Sequence, residues 1–330
     1  MVIENEEENK EVEKKRKSLL KGILNNVILL LFTVLVAIPV FLIIYQYVPQ
    51  IWLGSFRVDK IVTFIPIFIL LFFIAKQLKL LVYIMAVCLM GYITVSSFMG
   101  GYNIHDLFLS YNSMLFNIKE GAVKINFLEE KKEFTNAEKM VQAIDYNSEE
   151  VRTMAVHFAA DNFKDYVNTS PGRKVIHSLS IFKELYNRWY YVHDPAFEDY
   201  YAKASETAKH LDYEDEEKAQ FKGDCDDYSI LMAACVKAVG GEVRLVRTTV
   251  KYEDGTEVGH IYPEVKIGDE KDLEKLTYLI KNKLFVKESK GKEIFYYLDY
   301  EGYVWLNFDY NDAYPGAKYQ SEIRESVIDV

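Results

Sequence analysis

The chain has 330 residues, a formal net charge of −10, and a mean hydropathy near zero that averages two unlike halves. Its acidity excludes a nucleic-acid partner, because phosphate binding needs a basic surface that releases counterions. Three cysteines, Cys88, Cys225 and Cys235, are too few and too oddly placed for a disulfide framework.

Residues 1–21 form an acidic-then-basic tail, expected to be cytoplasmic and disordered up to its last turn. Apolar runs follow at 22–46, 61–75 and 80–100, with no Asp, Glu, Lys or Arg inside them. Since about 20 apolar residues span a bilayer as a helix, three transmembrane helices are expected over 22–101. The middle run, about 22 Å long, must thin the bilayer, borrow flanking residues or pair with its neighbour. The first run is too long, and lacks the small-residue cleavage site, for a removable signal peptide. Lys14, Lys15, Arg16, Lys17 and Lys21 place the N-terminus in the cytoplasm. Arg57 and Lys60 then fall outside, Lys76 and Lys79 inside, and everything after about residue 101 outside. Were 80–100 re-entrant, loosened by Gly91, Ser96, Ser97, Gly100 and Gly101, the remainder would be cytosolic. Without ionisable groups inside the runs, they read as an anchor and not as a channel or pump.

Residues 102–170 carry helical periodicity and read as a helical connecting region, with Asn147 and Glu150 as the capping pair of SEEVRTMAVHFAADNFKDY. Thr169, Ser170, Pro171 and Gly172 break the chain, and VIHSLSIFKELYNRWYYV and EDYYAKASETAKHL give further helices. Next, GDCDDYS at 223–229 leads into the apolar ILMAACVKAV. That spacing puts Cys225 in the first turn of a buried helix, where free N–H groups and the positive end of the dipole favour a thiolate. Asp224, Asp226 and Asp227 beside it read as helix-capping carboxylates, whose charge opposes thiolate formation. No CxxC pair, no closely spaced histidines and no calcium-loop spacing occur, so neither a metal nor another cofactor is expected. Cys88 reads as a small hydrophobe in an apolar run. Cys235 lies about 15 Å along the helix from Cys225, too far to bridge. His157, His177, His193 and His210 are scattered and expected on surfaces.

From Gly241 the period changes to two. EVRLVRTTVKY and EVGHIYPEVKI flank EDGT as a hairpin, and EIFYYLDY and YVWLNF flank a tight EG turn. The first hairpin places His260 within an alternating strand, and the second leaves Asp309 at the end of an aromatic one. Helices followed by an antiparallel sheet give an α+β domain with the Cys225 helix packed on one sheet face. The many tyrosines and phenylalanines in these strands read as packing.

These segments resemble the transglutaminase-like superfamily, which shares its catalytic arrangement with papain-like cysteine proteases, here in a membrane-anchored form of a bacterial or archaeal kind. The family's G-x-C at a helix start corresponds to Gly223–Cys225, its H-A-W-x-E-V strand to His260–Val265, and its W-x-x-x-D strand to Trp305 and Asp309. Gly240, Gly241 and Arg244 stand where the family has G-x-x-A-R. The chain departs from the pattern at Ile261 and Tyr262, and at Tyr310, where proline is common. The resemblance implies a domain over 171–330 in which Cys225 is nucleophile, His260 its base and Asp309 the group that orients the imidazole. It further implies acyl transfer or hydrolysis on peptide or glutamine amide bonds through a cysteine thioester, with a protein or peptide as substrate. The backbone N–H of Cys225 would be one oxyanion donor, and Gln220, Trp189 and Tyr190 are candidates for another. Two other readings stand beside this one: a catalytically degenerate module for binding or assembly at the membrane, and a polytopic protein whose spans carry the function. Oligomeric state is not legible.

Overall fold

A computed structural model describes residues 2–49, 51–53, 56–99, 103–130, 132–194, 200–212 and 220–330. The chain divides into two compact units, Met1–Lys119 and Glu120–Val330.

The first unit is built from α1 (Val2–Ile44), a pair of two-residue antiparallel strands β1 (Trp52–Leu53) and β2 (Phe56–Arg57), α2 (Asp59–Gln77), α3 (Lys79–Phe98) and α4 (Ile104–Lys119). The tail expected to be disordered is instead helical from Val2 onward and continuous with the first apolar run. Its Glu- and Lys-rich composition has high helix propensity, and that outweighs the lack of apolar residues. Phe41 of α1 stacks on Tyr45 at 5.2 Å and meets Phe64 of α2 edge-on at 5.4 Å. The membrane expectation finds support in its first run. Among the described residues one stretch, Gly22–Ile44 with mean hydropathy 3.3, is long and apolar enough to cross a membrane. The other two runs form helices as well, α2 with Asp59, Lys60 and Lys76 at its ends, and α3.

The second unit holds β3 (Val123–Lys124), β4 (Leu128–Glu129), α5 (Ala137–Ala143), α6 (Glu149–Asp161), α7 (Arg173–Arg188), β5 (Trp189–Tyr191), α8 (Ala204–Ala208), β6 (Phe221–Gly223) and α9 (Cys225–Ala238). It continues with β7 (Val243–Lys251), β8 (Glu257–Gly268), α10 (Glu270–Leu279), β9 (Phe295–Leu298), β10 (Val304–Asn307), β11 (Ile323–Arg324) and β12 (Ser326–Asp329). Six strands form the main sheet in the order β12-β7-β8-β10-β9-β3, antiparallel except where β3 joins β9. Two small parallel pairs, β4 with β11 and β5 with β6, complete the strand set. The region read as a helical connector therefore contributes strands to this unit, and the division falls between Lys119 and Glu120.

Local chemistry explains the boundaries. Helix α6 is capped one residue later than expected: the Ser148 hydroxyl accepts from the Val151 amide at 3.4 Å, and Asn147 stays outside. Helix α7 stops at Arg188, and the three aromatic residues expected to continue it, Trp189 to Tyr191, become β5 because β6 supplies a parallel partner. Helix α9 is buried from Asp226 to Val236 and packs on β7 and β8, which is why its sequence is apolar all round. Leu231, Met232 and Val236 are fully buried, and each contributes about 1.5–3 kcal/mol by leaving water. The turn after α9 needs glycine at Gly241, where a Cβ would lie 2.5 Å from Val236 Cγ1.

Register decides which β8 side chains share a face. Arg244 lies opposite Glu264, Val246 opposite Tyr262 and Thr248 opposite His260, so His260, Tyr262 and Glu264 point to one side of the sheet. On that side Glu264, fully buried, accepts at the same oxygen from Arg244 Nε at 2.8 Å and Arg324 Nη2 at 2.9 Å. The two guanidinium groups lie over Trp305 and Tyr297, 3.8 and 4.1 Å from the ring centroids. Glycine 241 and Arg244, grouped by the sequence, thus serve the helix-to-sheet turn and this buried ion cluster.

Candidate active site

The nucleophile candidate is placed by β6 and α9. Tyr191 of β5 lies in register with Gly223 of β6, and the Val192 amide donates to the Gly223 carbonyl at 2.9 Å. Only glycine fits there: a Cβ on Gly223 would sit 2.4 Å from Asp227 Oδ2 and 2.6 Å from Asp227 Cβ. Asp224 is the N-cap of α9, its side chain accepting from the Asp226 amide at 3.2 Å. Asp227 Oδ1 accepts from the Ala202 amide at 3.0 Å, which ties the segment before α8 to the first turn. Cys225, the first residue of the helix, is half-buried. The next turn is fastened to the sheet by Ser229, whose hydroxyl lies 2.6 Å from the Cys225 carbonyl and 3.0 Å from that of Ile261.

His260 and Asp309 meet across β8 and the end of β10. Asp309 Oδ2 lies 2.7 Å from His260 Nε2, and both residues are buried. With Nε2 engaged, Nδ1 is the nitrogen left for Cys225, which lies near enough to act on the ring's charge. Burial alone would lower the His260 pKa; the charge and hydrogen bond of Asp309, joined by those of Cys225, overcome it and raise it to about 10. The carboxylate is itself held. Oδ2 also accepts from Asn311 Nδ2 at 3.2 Å and Gln320 Nε2 at 3.1 Å, and the Asp309 amide donates to Asn307 Oδ1 at 2.9 Å. Cys225, His260 and Asp309, singled out from different parts of the sequence, are therefore brought together.

The oxyanion candidates fare differently. Gln220 is a loop clamp: its Nε2 donates to the Asp212 carbonyl and its Oε1 accepts from the Asp212 amide, both at 2.9 Å. The oxygen and one N–H of the amide are thereby committed to Asp212. Tyr190 is 59% exposed and alternates away from its neighbours on β5. Trp189 packs edge-on against Tyr228 at 5.2 Å, with its indole N–H buried and unbonded to protein. The residue the sequence reading passed over is Tyr191. It stacks on Tyr310 at 5.2 Å, and Tyr310 in turn meets the His260 ring at 6.2 Å. Burial first, and then the nearby Cys225 charge, push the Tyr191 phenol up to about 12. One step of strand register separates it from Tyr190, a step that the helical expectation for this segment hid.

The acidic residues beside Cys225 carry less charge than their number suggests. Burial, with the hydrogen bond and charge of Asp224, raises the Asp226 carboxyl to about 10, so it holds a proton at neutral pH. Burial also raises Asp227, to about 6. The three carboxylates lie within 4.8 Å of one another, yet the contacts seen are those of caps and ties. Of the other cysteines, Cys235 is fully buried and its thiol is pushed up by burial, while Cys88 is exposed on α3. A cavity of about 860 Å³ opens on the second unit beside Arg244, Tyr297, Trp305 and Arg324, and its walls include none of Cys225, His260 and Asp309.

Residues 179–310 match the family model of the transglutaminase-like superfamily. The match runs from within α7 to Tyr310, so it takes in α9, β7, β8 and β10 with all three converging residues, and leaves out β11, β12 and Gln320. Comparison with curated proteins and with solved structures finds no match.

Proposed function

We propose that the second unit is a thiol enzyme that performs acyl transfer or hydrolysis on peptide or glutamine amide bonds. The observation that carries this reading is the His260–Asp309 hydrogen bond at 2.7 Å, with Cys225 near the same ring at the start of a buried helix. His260 takes the proton of Cys225, and the thiolate sulfur attacks the amide carbonyl. As the C–N bond breaks, His260 returns that proton to the departing amine, leaving an acyl group on sulfur as a thioester. Water or a second amine then attacks the thioester, giving an acid or a new amide and restoring the thiol. Asp309 keeps a proton on Nε2, so that Nδ1 is free to accept the one from Cys225. The Cys225 amide at the helix start is one donor for the oxyanion; the Trp189 indole and the Tyr191 phenol are the neighbouring groups able to be the second.

Iodoacetamide is expected to alkylate Cys225 faster than Cys88 or Cys235, with a pH midpoint below about 8. Peptide mass mapping after timed labelling gives the three rates. Equal rates in the folded protein would favour the degenerate binding module and count against catalysis.

The same reading makes the first unit an anchor. Gly22–Ile44, preceded by Lys14, Lys15, Arg16 and Lys17, crosses with its start in the cytoplasm, and α2 with α3 cross as a returning hairpin. One crossing or three leaves residues 120–330 on the outer side. Protease added to intact cells or spheroplasts is therefore expected to remove the second unit and spare the N-terminal residues. Protection of the second unit until the membrane is opened would mean an even number of crossings and move the chemistry into the cytosol.

A further inference from the structure

Gln320 makes contacts that neither the family match nor the sequence pattern assigns. Its Nε2 lies 3.0 Å from His260 Nε2 and 3.1 Å from Asp309 Oδ2, so one carboxamide touches both members of the pair. We propose that Gln320 is a positioning residue of this site, holding the His260 ring and the Asp309 carboxylate in one plane of contact so that Nδ1 stays on Cys225. The inference rests on the thiol-enzyme reading above.

The chemistry of an amide explains why one residue can do this whichever ring nitrogen carries the proton. When His260 carries a proton on Nε2, that nitrogen donates to Asp309, and the Gln320 N–H must go to the carboxylate instead. If the ring is neutral with its proton on Nδ1, Nε2 becomes an acceptor, and the second N–H of the same amide can reach it. The group therefore has a partner in either state. Its placement is fixed as well. Tyr319, the preceding residue, is buried against Tyr262 at 5.7 Å and Phe127 at 4.9 Å. Beyond it, the Ile323 carbonyl accepts from the Thr248 hydroxyl at 2.6 Å, and Thr248 lies directly across the sheet from His260. The segment carrying Gln320 is thus pinned on one side to β8, which carries His260, and on the other to its partner β7.

The test is the pH dependence of Cys225 alkylation by iodoacetamide in the full-length protein, which needs no knowledge of the substrate. Two variants are compared with the parent: Gln320→Met, which keeps the length of the side chain and removes its hydrogen bonds, and Gln320→Glu, which keeps the shape and adds a carboxylate facing the ring. With Gln320→Met, alkylation at pH 7 is expected to slow about tenfold as the midpoint moves toward the value of about 8.5 of an unassisted thiol. With Gln320→Glu the midpoint is expected to move the opposite way, below that of the parent, since a second carboxylate favours the imidazolium that pairs with the thiolate. A packing role alone would displace both variants in the same direction. A parent with a depressed midpoint and a Gln320→Met profile superimposed on it overturns the inference and leaves the thiol-enzyme reading standing. Should Gln320→Met fail to fold, an unchanged midpoint in Gln320→Glu overturns it equally. A parent that itself titrates near 8.5 overturns the thiol-enzyme reading, and this inference with it.

Discussion

Asp309→Asn is expected to lower turnover about a hundredfold or more with the fold intact, because the imidazole loses the acceptor that sets its tautomer. Asp312→Asn, three residues on, is expected to change little: Asp312 pairs with Lys292 at 2.7 Å on the surface and makes no contact with His260. Ammonia release from a glutamine-containing peptide and cleavage of a peptide mixture are the two assays, since water and amine resolve the same thioester. If both variants turn over like the parent, the orienting group is elsewhere. The pH dependence of stability gives a second reading of the same contact. His260 is raised from 6.5 to about 10, against the effect of burial, by Asp309 and Cys225. The folded protein then binds more protons than the unfolded chain between those values, so this contribution is complete below about pH 6.5 and is lost as the pH climbs toward about 10. Urea midpoints of the parent are expected to fall over that interval, and those of Asp309→Asn to fall less.

The largest expected loss of stability is at Glu264. Removing its carboxylate by Glu264→Ala leaves the guanidinium groups of Arg244 and Arg324 buried without the carboxylate they share, at a cost of about 3–5 kcal/mol. Glu130→Ala breaks the pair with Lys132 in which both side chains are well exposed, and is expected to cost about 0–1 kcal/mol. Urea unfolding followed by tryptophan fluorescence reports directly, since Trp305 lies against Arg244. A loss under about 1 kcal/mol for Glu264→Ala would mean that water readily enters and solvates the cluster.

The parts of the site legible in the sequence are those fixed by a local pattern. Cys225 was placed by the change from polar residues to an unbroken apolar helix, His260 by the alternation of β8, and Asp309 by the end of β10. Gln320 was invisible for the opposite reason: it lies between β10 and β11, in a segment with no period, and it reaches a histidine 60 residues away. Trp189–Tyr191 misled because the pattern of α7 continues smoothly into it, while the strand it forms depends on β6, some thirty residues later in the chain. The same holds for Val123–Glu129, whose short strands are made by partners near residues 295 and 323. In the first unit, composition identified the apolar runs, and all three form helices.

The strand order β12-β7-β8-β10 has a consequence for how the protein is made. The hairpin of β7 and β8 emerges from the ribosome with Cys225 and His260 already synthesised, yet both of its neighbours in the sheet, and with them Asp309, come later. During that interval His260 has no carboxylate beside it and the thiol has no organised base. On the thiol-enzyme reading proposed above, the three site residues are therefore complete only once β10 has docked beside the hairpin.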